Sequence, residues 1–184
     1  MILWLILIVV SYAILIVSFT IGNIKTNEFT AKKTDPKTTF SVVIPFRNEA
    51  ENLPLLLKSI EKIEYPTSQV EFLFVDDHST DNSVTMIRNC RSTIKMSDRI
   101  IENKRKSNSP KKDAITTAIS KAKYNWIVTS DADCYFSKKW LESMDLFIQN
   151  TQPSMIVAPV NYKANSSFLE QFQLLDFMSL QGTT

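Results

Sequence analysis

Four aspartates stand where they could do chemistry. Asp76 and Asp77 follow the apolar run Phe72-Leu73-Phe74-Val75, and Asp131 and Asp133 follow Trp126-Ile127-Val128-Thr129-Ser130. Two acidic strand ends in one chain can converge on one edge of a sheet. Carboxylates about 5 Å apart repel by roughly 3 kcal/mol at an effective dielectric of 20, which a fold of ordinary stability carries only if something relieves it. A divalent cation does so. All-oxygen ligands suit Mg²⁺ or Mn²⁺, which take few carboxylates and complete their shell with phosphate oxygens and water. Any one of these aspartates, taken alone, reads equally well as a turn residue or a helix cap. Their shared placement at strand ends favours the metal reading.

Composition removes several other chemistries. The 184 residues contain two glycines, Gly22 and Gly182, so a Walker loop and a dinucleotide fingerprint are both excluded, since each needs glycine where backbone approaches phosphate. One histidine, His78, cannot make a paired-histidine zinc site. Cys90 and Cys134 are too few for a disulfide framework and point to reduced, intracellular chemistry. Twenty-one basic and 19 acidic side chains give a net charge of +2, and no aromatic residue interleaves Lys104-Arg105-Lys106 or Lys111-Lys112, so no nucleic acid partner is expected.

The elements that must position these residues alternate. Phe40-Ser41-Val42-Val43-Ile44 reads as a buried strand. A helix follows, capped by Asn52, with Pro54 in its first turn and Leu53, Leu56, Leu57, Ile60 and Ile63 on one face. The second strand, Glu71 to Val75, leads to a helix capped by Asp81 or Asn82 and bearing Val84, Ile87 and Cys90. Arg99-Ile100-Ile101 is a weak third strand, and Pro110 opens a helix with the stripe Ala114, Ile115, Ala118, Ile119, Ala122. After the fourth strand, Trp126 to Ser130, Ser137 caps a helix with Trp140, Leu141, Met144, Phe147 and Ile148 inward. Met155-Ile156-Val157-Ala158 reads as a fifth strand, and Ser167 with Glu170 as the capping box of a last helix. Alternating strands and helices imply an α/β fold, a mostly parallel sheet covered on both faces, with ligands beyond the carboxyl ends of its strands.

Residues 1–22 form a separate segment without charge, 14 of them Ile, Leu, Val or Phe. At roughly −0.3 to −0.6 kcal/mol for each near the bilayer centre, insertion is favourable by about 4 to 8 kcal/mol. As a helix this run is roughly 33 Å long, against a hydrocarbon core of about 30 Å. There is no basic region before it and no A-x-A site after it, so it reads as a transmembrane anchor rather than a signal peptide. Lys25, Lys32, Lys33 and Lys37 follow, which places the downstream domain in the cytoplasm by the positive-inside rule. Residues 23–39 read as a linker and 40–184 as the domain.

Ser41-Val42-Val43-Ile44-Pro45-Phe46-Arg47-Asn48-Glu49, Val75-Asp76-Asp77-His78-Ser79-Thr80-Asp81, Lys112-Asp113-Ala114-Ile115 and Ser130-Asp131-Ala132-Asp133 together resemble, in order and spacing, glycosyltransferase family 2. The tail from Phe168 to Leu180 is similar to the membrane-bound, polysaccharide-synthase-like branch. The resemblance implies a GT-A (Rossmann-like) fold, a nucleotide-sugar donor, a divalent cation, inversion at the anomeric carbon, and a saccharide or lipid-linked acceptor. It implies that Pro45, Arg47 and Glu49 line the nucleotide pocket and that Asp76 binds the base, as uracil, while Asp77 braces the loop and His78 lies beside the base. Lys112 would face the diphosphate, Asp131 would contact the ribose or a water on the metal, and Asp133 would ligate the metal.

The sequence departs from the family pattern at two places. The family has Gly before the lysine, whereas here Pro110 and Lys111 precede Lys112. The family's catalytic base and its Gln-x-x-Arg-Trp motif come well after the metal motif, and no such pair occurs before Thr184, so the base is expected beyond Thr184; Glu170 and Asp176 are weak substitutes. The expected function is a membrane-anchored glycosyltransferase, with a donor-binding module lacking transfer activity as the alternative. An aspartate-dependent phosphohydrolase would carry Asp-x-Asp on its first strand, but here three strands precede it.

Overall fold

The computed structural model describes residues 2–25, 29, 34–90, 97–160 and 167–182. Lys32 and Lys33, with much of the expected linker, lie outside the described residues. The chain divides into two units, residues 31–152 and residues 1–30 with 153–184.

In the first unit four strands, β1 (Phe40–Phe46), β2 (Val70–Asp76), β3 (Ser97–Glu102) and β4 (Trp126–Thr129), form a sheet of order β3-β2-β1-β4. Every pairing is parallel, with Val42 opposite both Phe72 and Val128. The strands are joined by α2 (Leu53–Ile60), α3 (Ser83–Cys90) and α4 (Pro110–Ile119), and α5 (Trp140–Thr151) follows β4. Alternation along β1 divides the core. Phe40, Val42 and Ile44 pack with Leu53, Leu56 and Ile60 of α2, Ile87 of α3 and Leu141 of α5, while Val43 packs with Leu73, Val75 and Ile101 under Ala114 and Ala118 of α4. Helices therefore cover both faces, as the sequence pattern predicts.

At the amino ends of the strands a buried carboxylate closes the α4 side. Glu71 accepts from Ser41 Oγ at 2.6 Å, from the Lys123 N–H at 2.5 Å and from Arg99 Nη2 at 2.6 Å. Burial pushes its carboxyl up, but these donors together outweigh burial and hold it below the usual carboxylate range. On the other face Asp145 of α5 accepts from the Thr38 N–H at 3.0 Å and the Thr38 hydroxyl at 2.6 Å, which fixes the entry into β1.

Several local expectations are corrected. Met155 to Ala158 form no strand; the segment is irregular, with Met155 76% and Val157 79% exposed. A short apolar run carries no period of its own, and Pro153 and Pro159 bracket this one and withhold backbone donors. Asn52 and Ser137 supply no side-chain cap: Asn52 donates instead to Glu49 Oε2 at 2.7 Å, and α5 starts after Lys139, with the Trp140 N–H on the Ser137 carbonyl. Ile119 is exposed at the end of α4. Asp81 does cap α3, its Oδ1 accepting the Ser83 N–H at 3.0 Å.

The second unit contains α1 (Ile2–Lys25) and α6 (Phe168–Gly182). Ile2–Gly22 is long and apolar enough to cross a membrane. Ser11, Ser18 and Thr20 return their hydroxyl protons to carbonyls three or four residues back, the bonding that lets such residues lie in hydrocarbon. In α6, Phe168, Leu169, Phe172 and Leu175 are exposed.

Candidate functional site

The chain runs β1, β2, β3 outward and then returns to place β4 on the other flank of β1. The segments after β1 and β4 therefore part at the carboxyl edge, where open parallel sheets form their binding crevice. A cleft of about 320 Å³ lies there. Pro45, Arg47 and Glu49 line it from the end of β1, Asp131 and Asp133 from the loop after β4, and Pro110 and Lys111 from the start of α4.

Of the residues singled out by sequence, Pro45, Arg47, Glu49, Asp131 and Asp133 are thus brought together. Asp76 and Lys112 are not among the lining residues. Asp76 ends β2 with Oδ1 accepting the Ser79 N–H at 2.9 Å. The adjacent Lys111 does line the cleft, with its Nζ 2.6 Å from Asp131 Oδ1. The helical wheel gives the reason: exposed position 111 lies on the same side of α4 as Ala114 and Ala118, which pack on the sheet, whereas 112, 116 and 119 share the opposite, exposed side. The buried pair Ala114 and Ala118 was the signal in the sequence that puts position 111 rather than 112 at the cleft.

Asp77, 7% exposed, is itself part of the cleft wall. Arg105 grips it through Nε at 2.8 Å and Nη2 at 2.5 Å, Asn103 Nδ2 donates at 2.7 Å, and Arg47 Nη1 lies 3.9 Å away. The Arg105 hydrogen bonds hold its carboxyl low against the opposing effect of burial, with Asn103 assisting. The β1–α2 and β2–α3 loops are cross-linked. Asn48 Oδ1 accepts the Thr80 N–H at 2.7 Å, Ser79 Oγ accepts the Asn48 N–H, and Ser83 Oγ accepts the Glu49 N–H. Asn48 and His78 hold the left-handed backbone these loops need, φ 55° and 60°, in a segment without glycine.

Asp131 and Asp133 are both exposed on either side of buried Ala132. Among the described residues no group of three or more metal-ligating side chains forms. Asp131 and Asp133 bring two carboxylates to the cleft, with Asp131 paired to Lys111, and two such oxygen donors fit a small hard cation that completes its shell with phosphate oxygens and water.

Residues 41–179 match the family described as Glycosyl transferase family 2. The chain belongs to this family. Among family 2 relatives, it is 26% identical over 118 residues to the poly(ribitol-phosphate) beta-N-acetylglucosaminyltransferase TarS of Staphylococcus aureus, covering 64% of this chain and 20% of TarS. It is 28% identical over 122 residues to glycosyltransferase AglE of Haloferax volcanii, covering 66% of this chain and 39% of AglE. The chain thus spans between about a fifth and two fifths of these relatives' length. Among solved structures, the S. aureus TarS 1-349 complex with UDP-GlcNAc superposes with a TM-score of 0.56 at 24% identity, covering 67% of this chain and 38% of that one. The mannosyltransferase PcManGT of Pyrobaculum calidifontis, in complex with GDP-Man and Mn²⁺, gives 0.63 at 20%, covering 80% and 43%. At these identities the likeness is one of fold, and that fold is of the GT-A type.

Proposed function

We propose that the chain binds the donor in a membrane-anchored glycosyltransferase that takes a UDP-sugar with Mg²⁺ or Mn²⁺ and inverts the anomeric carbon as it passes the sugar to a saccharide or lipid-linked acceptor. The observation that carries this reading is the cleft at the β1/β4 switch point, where Arg47, Lys111, Asp131 and Asp133 meet. Arg47 and Lys111 supply positive charge for a diphosphate, and the amino end of α4 adds its dipole to theirs. Asp131 and Asp133 would hold the cation, which when bound would neutralise charge gathering on the departing diphosphate. Asp76, at the end of β2, would take the base. The UDP-GlcNAc complex of TarS supports uridine, the Mn²⁺ of PcManGT supports the cation, the apolar α1 supports a membrane anchor, and Lys25 and Lys37 after it support a domain on the cytoplasmic side.

The test is calorimetry of UDP with the full chain in Mn²⁺ and in chelator. Binding should need the cation, and Asp133→Ala should abolish that dependence. Equal UDP affinity in chelator and in Mn²⁺ for the unmodified chain would sink the reading.

A further inference from the structure

The segment from Asn103 to Ser109 contains no glycine, carries Lys104, Arg105 and Lys106, and must deliver α4 to the cleft at one definite point. Its backbone is organised by a carboxylate that the proposed chemistry does not use. Asp113 is 8% exposed. Its Oδ2 accepts the N–H groups of Lys106 at 2.8 Å and Ser107 at 2.7 Å, and its Oδ1 accepts the Ser107 hydroxyl at 2.9 Å. Ser107 Oγ in turn accepts the Ser109 N–H at 3.2 Å, and the Asp113 N–H donates to the Ser109 carbonyl at 3.1 Å. Asn103 Nδ2 completes the enclosure by donating to the Pro110 carbonyl at 3.1 Å. Pro110 and Lys111, the first two residues of α4, line the cleft from this side together with buried Ala114.

The contact at the far end is too weak to create this order. Lys111 and Asp131 are 62% and 53% exposed, and an exposed ion pair fixes little. A shielded carboxylate with three donors fixes much more, because each is a charge-assisted bond. The backbone therefore sets where Lys111 stands, and Asp113 sets the backbone.

We propose that Asp113 is a positioning residue that presents Lys111 to the diphosphate of the donor, acting through Ser107 and Ser109. The inference rests on the cleft being a nucleotide diphosphate site. Asp113 touches no part of the donor, so its effect must be confined to what Lys111 touches, the phosphates, and must be absent from the nucleoside.

Calorimetry on the full chain in Mn²⁺, with UDP and with uridine, tests it. Asp113→Asn should weaken UDP by about tenfold, equivalent to one charge-assisted contact, while uridine affinity stays within about twofold, the size of a surface change. Lys111→Met should do the same, and the double variant should be no weaker than Lys111→Met alone, because both remove one contact. The salt dependence of UDP binding should flatten equally in both single variants. Should Asp113→Asn fail to fold, Ser107→Ala removes the hydroxyl link alone and should show a smaller loss, about twofold to threefold, again for UDP only. Additive losses in the double variant, or equal weakening of UDP and uridine, would overturn the assignment. A wild-type chain that does not prefer UDP to uridine would overturn it at the level of the donor site itself, a result read before any variant is made.

Discussion

Arg105 and Asp77, 28 positions apart, meet in a two-pronged ion pair in which Nε reaches one carboxylate oxygen at 2.8 Å and Nη2 the other at 2.5 Å. The pair joins the basic loop to the end of β2, and Asn103 and Arg47 converge on the same carboxylate. Removing that carboxylate leaves Asn103 Nδ2 without one of its acceptors in a buried position. Asp77→Ala is expected to lower stability by about 2 kcal/mol, the usual scale for hydrogen bonds to a charged group, read as a shift in the urea midpoint with unchanged slope. A shift indistinguishable from zero would show that the loop is held without it.

The same carboxylates make the domain acid-sensitive. Unfolded, Glu71 and Asp77 titrate near 4.5 and 3.8; folded, both titrate lower. Between its folded and unfolded values each group binds fewer protons in the native state, so its contribution to stability is complete above about pH 5 and is lost as pH falls through the folded value. Urea midpoints measured from pH 7 down to pH 3 should fall below about pH 4.5, and Glu71→Gln should make that fall shallower. A midpoint that rises on acidification would reverse the sign of the argument.

The sheet was legible in the sequence because a buried parallel strand is a short apolar run and its neighbours are amphipathic helices. Val42-Val43-Ile44 and Phe72-Leu73-Phe74-Val75 allow no other reading beside the Leu53, Leu56, Ile60 face. Met155 to Ala158 has the same composition but lies between Pro153 and Pro159 and stays irregular and exposed, and composition alone does not carry that difference. Asp131 and Asp133 could be placed because a strand end points a loop in one direction. The roles of Glu71, Asp113 and Asp145 could not, since a buried carboxylate is defined by donors from distant segments: Ser41 and Lys123, Lys106 and Ser107, Thr38.

If α1 anchors the protein, the full chain should sediment with membranes and resist alkaline carbonate, and a form lacking residues 1–22 should leave the pellet. The 21 residues from Ile2 to Gly22 carry no ionised side chain, so extraction into water would expose all of that apolar surface. Full-length protein found in the supernatant would exclude the anchor.

The sharpest separation between sequence and structure concerns two adjacent lysines. Family spacing selects Lys112 for the diphosphate, while α4 turns Lys111 into the cleft and Lys112 toward water, about 100° around the helix. Both substitutions remove one positive charge from the same turn, so long-range attraction for an anionic donor falls equally in each, and at about 0.15 M salt it is largely screened beyond roughly 8 Å. What differs is contact. Lys111→Met is expected to weaken UDP in Mn²⁺ by about tenfold or more, and Lys112→Met by no more than about twofold. Raising salt should close most of the gap between wild type and Lys111→Met, because the contact being removed is an ionic one. Calorimetric titrations of the two variants side by side decide it. The reverse order of effects would mean that donor binding rotates or unwinds the first turn of α4, restoring Lys112 to the role its spacing suggests.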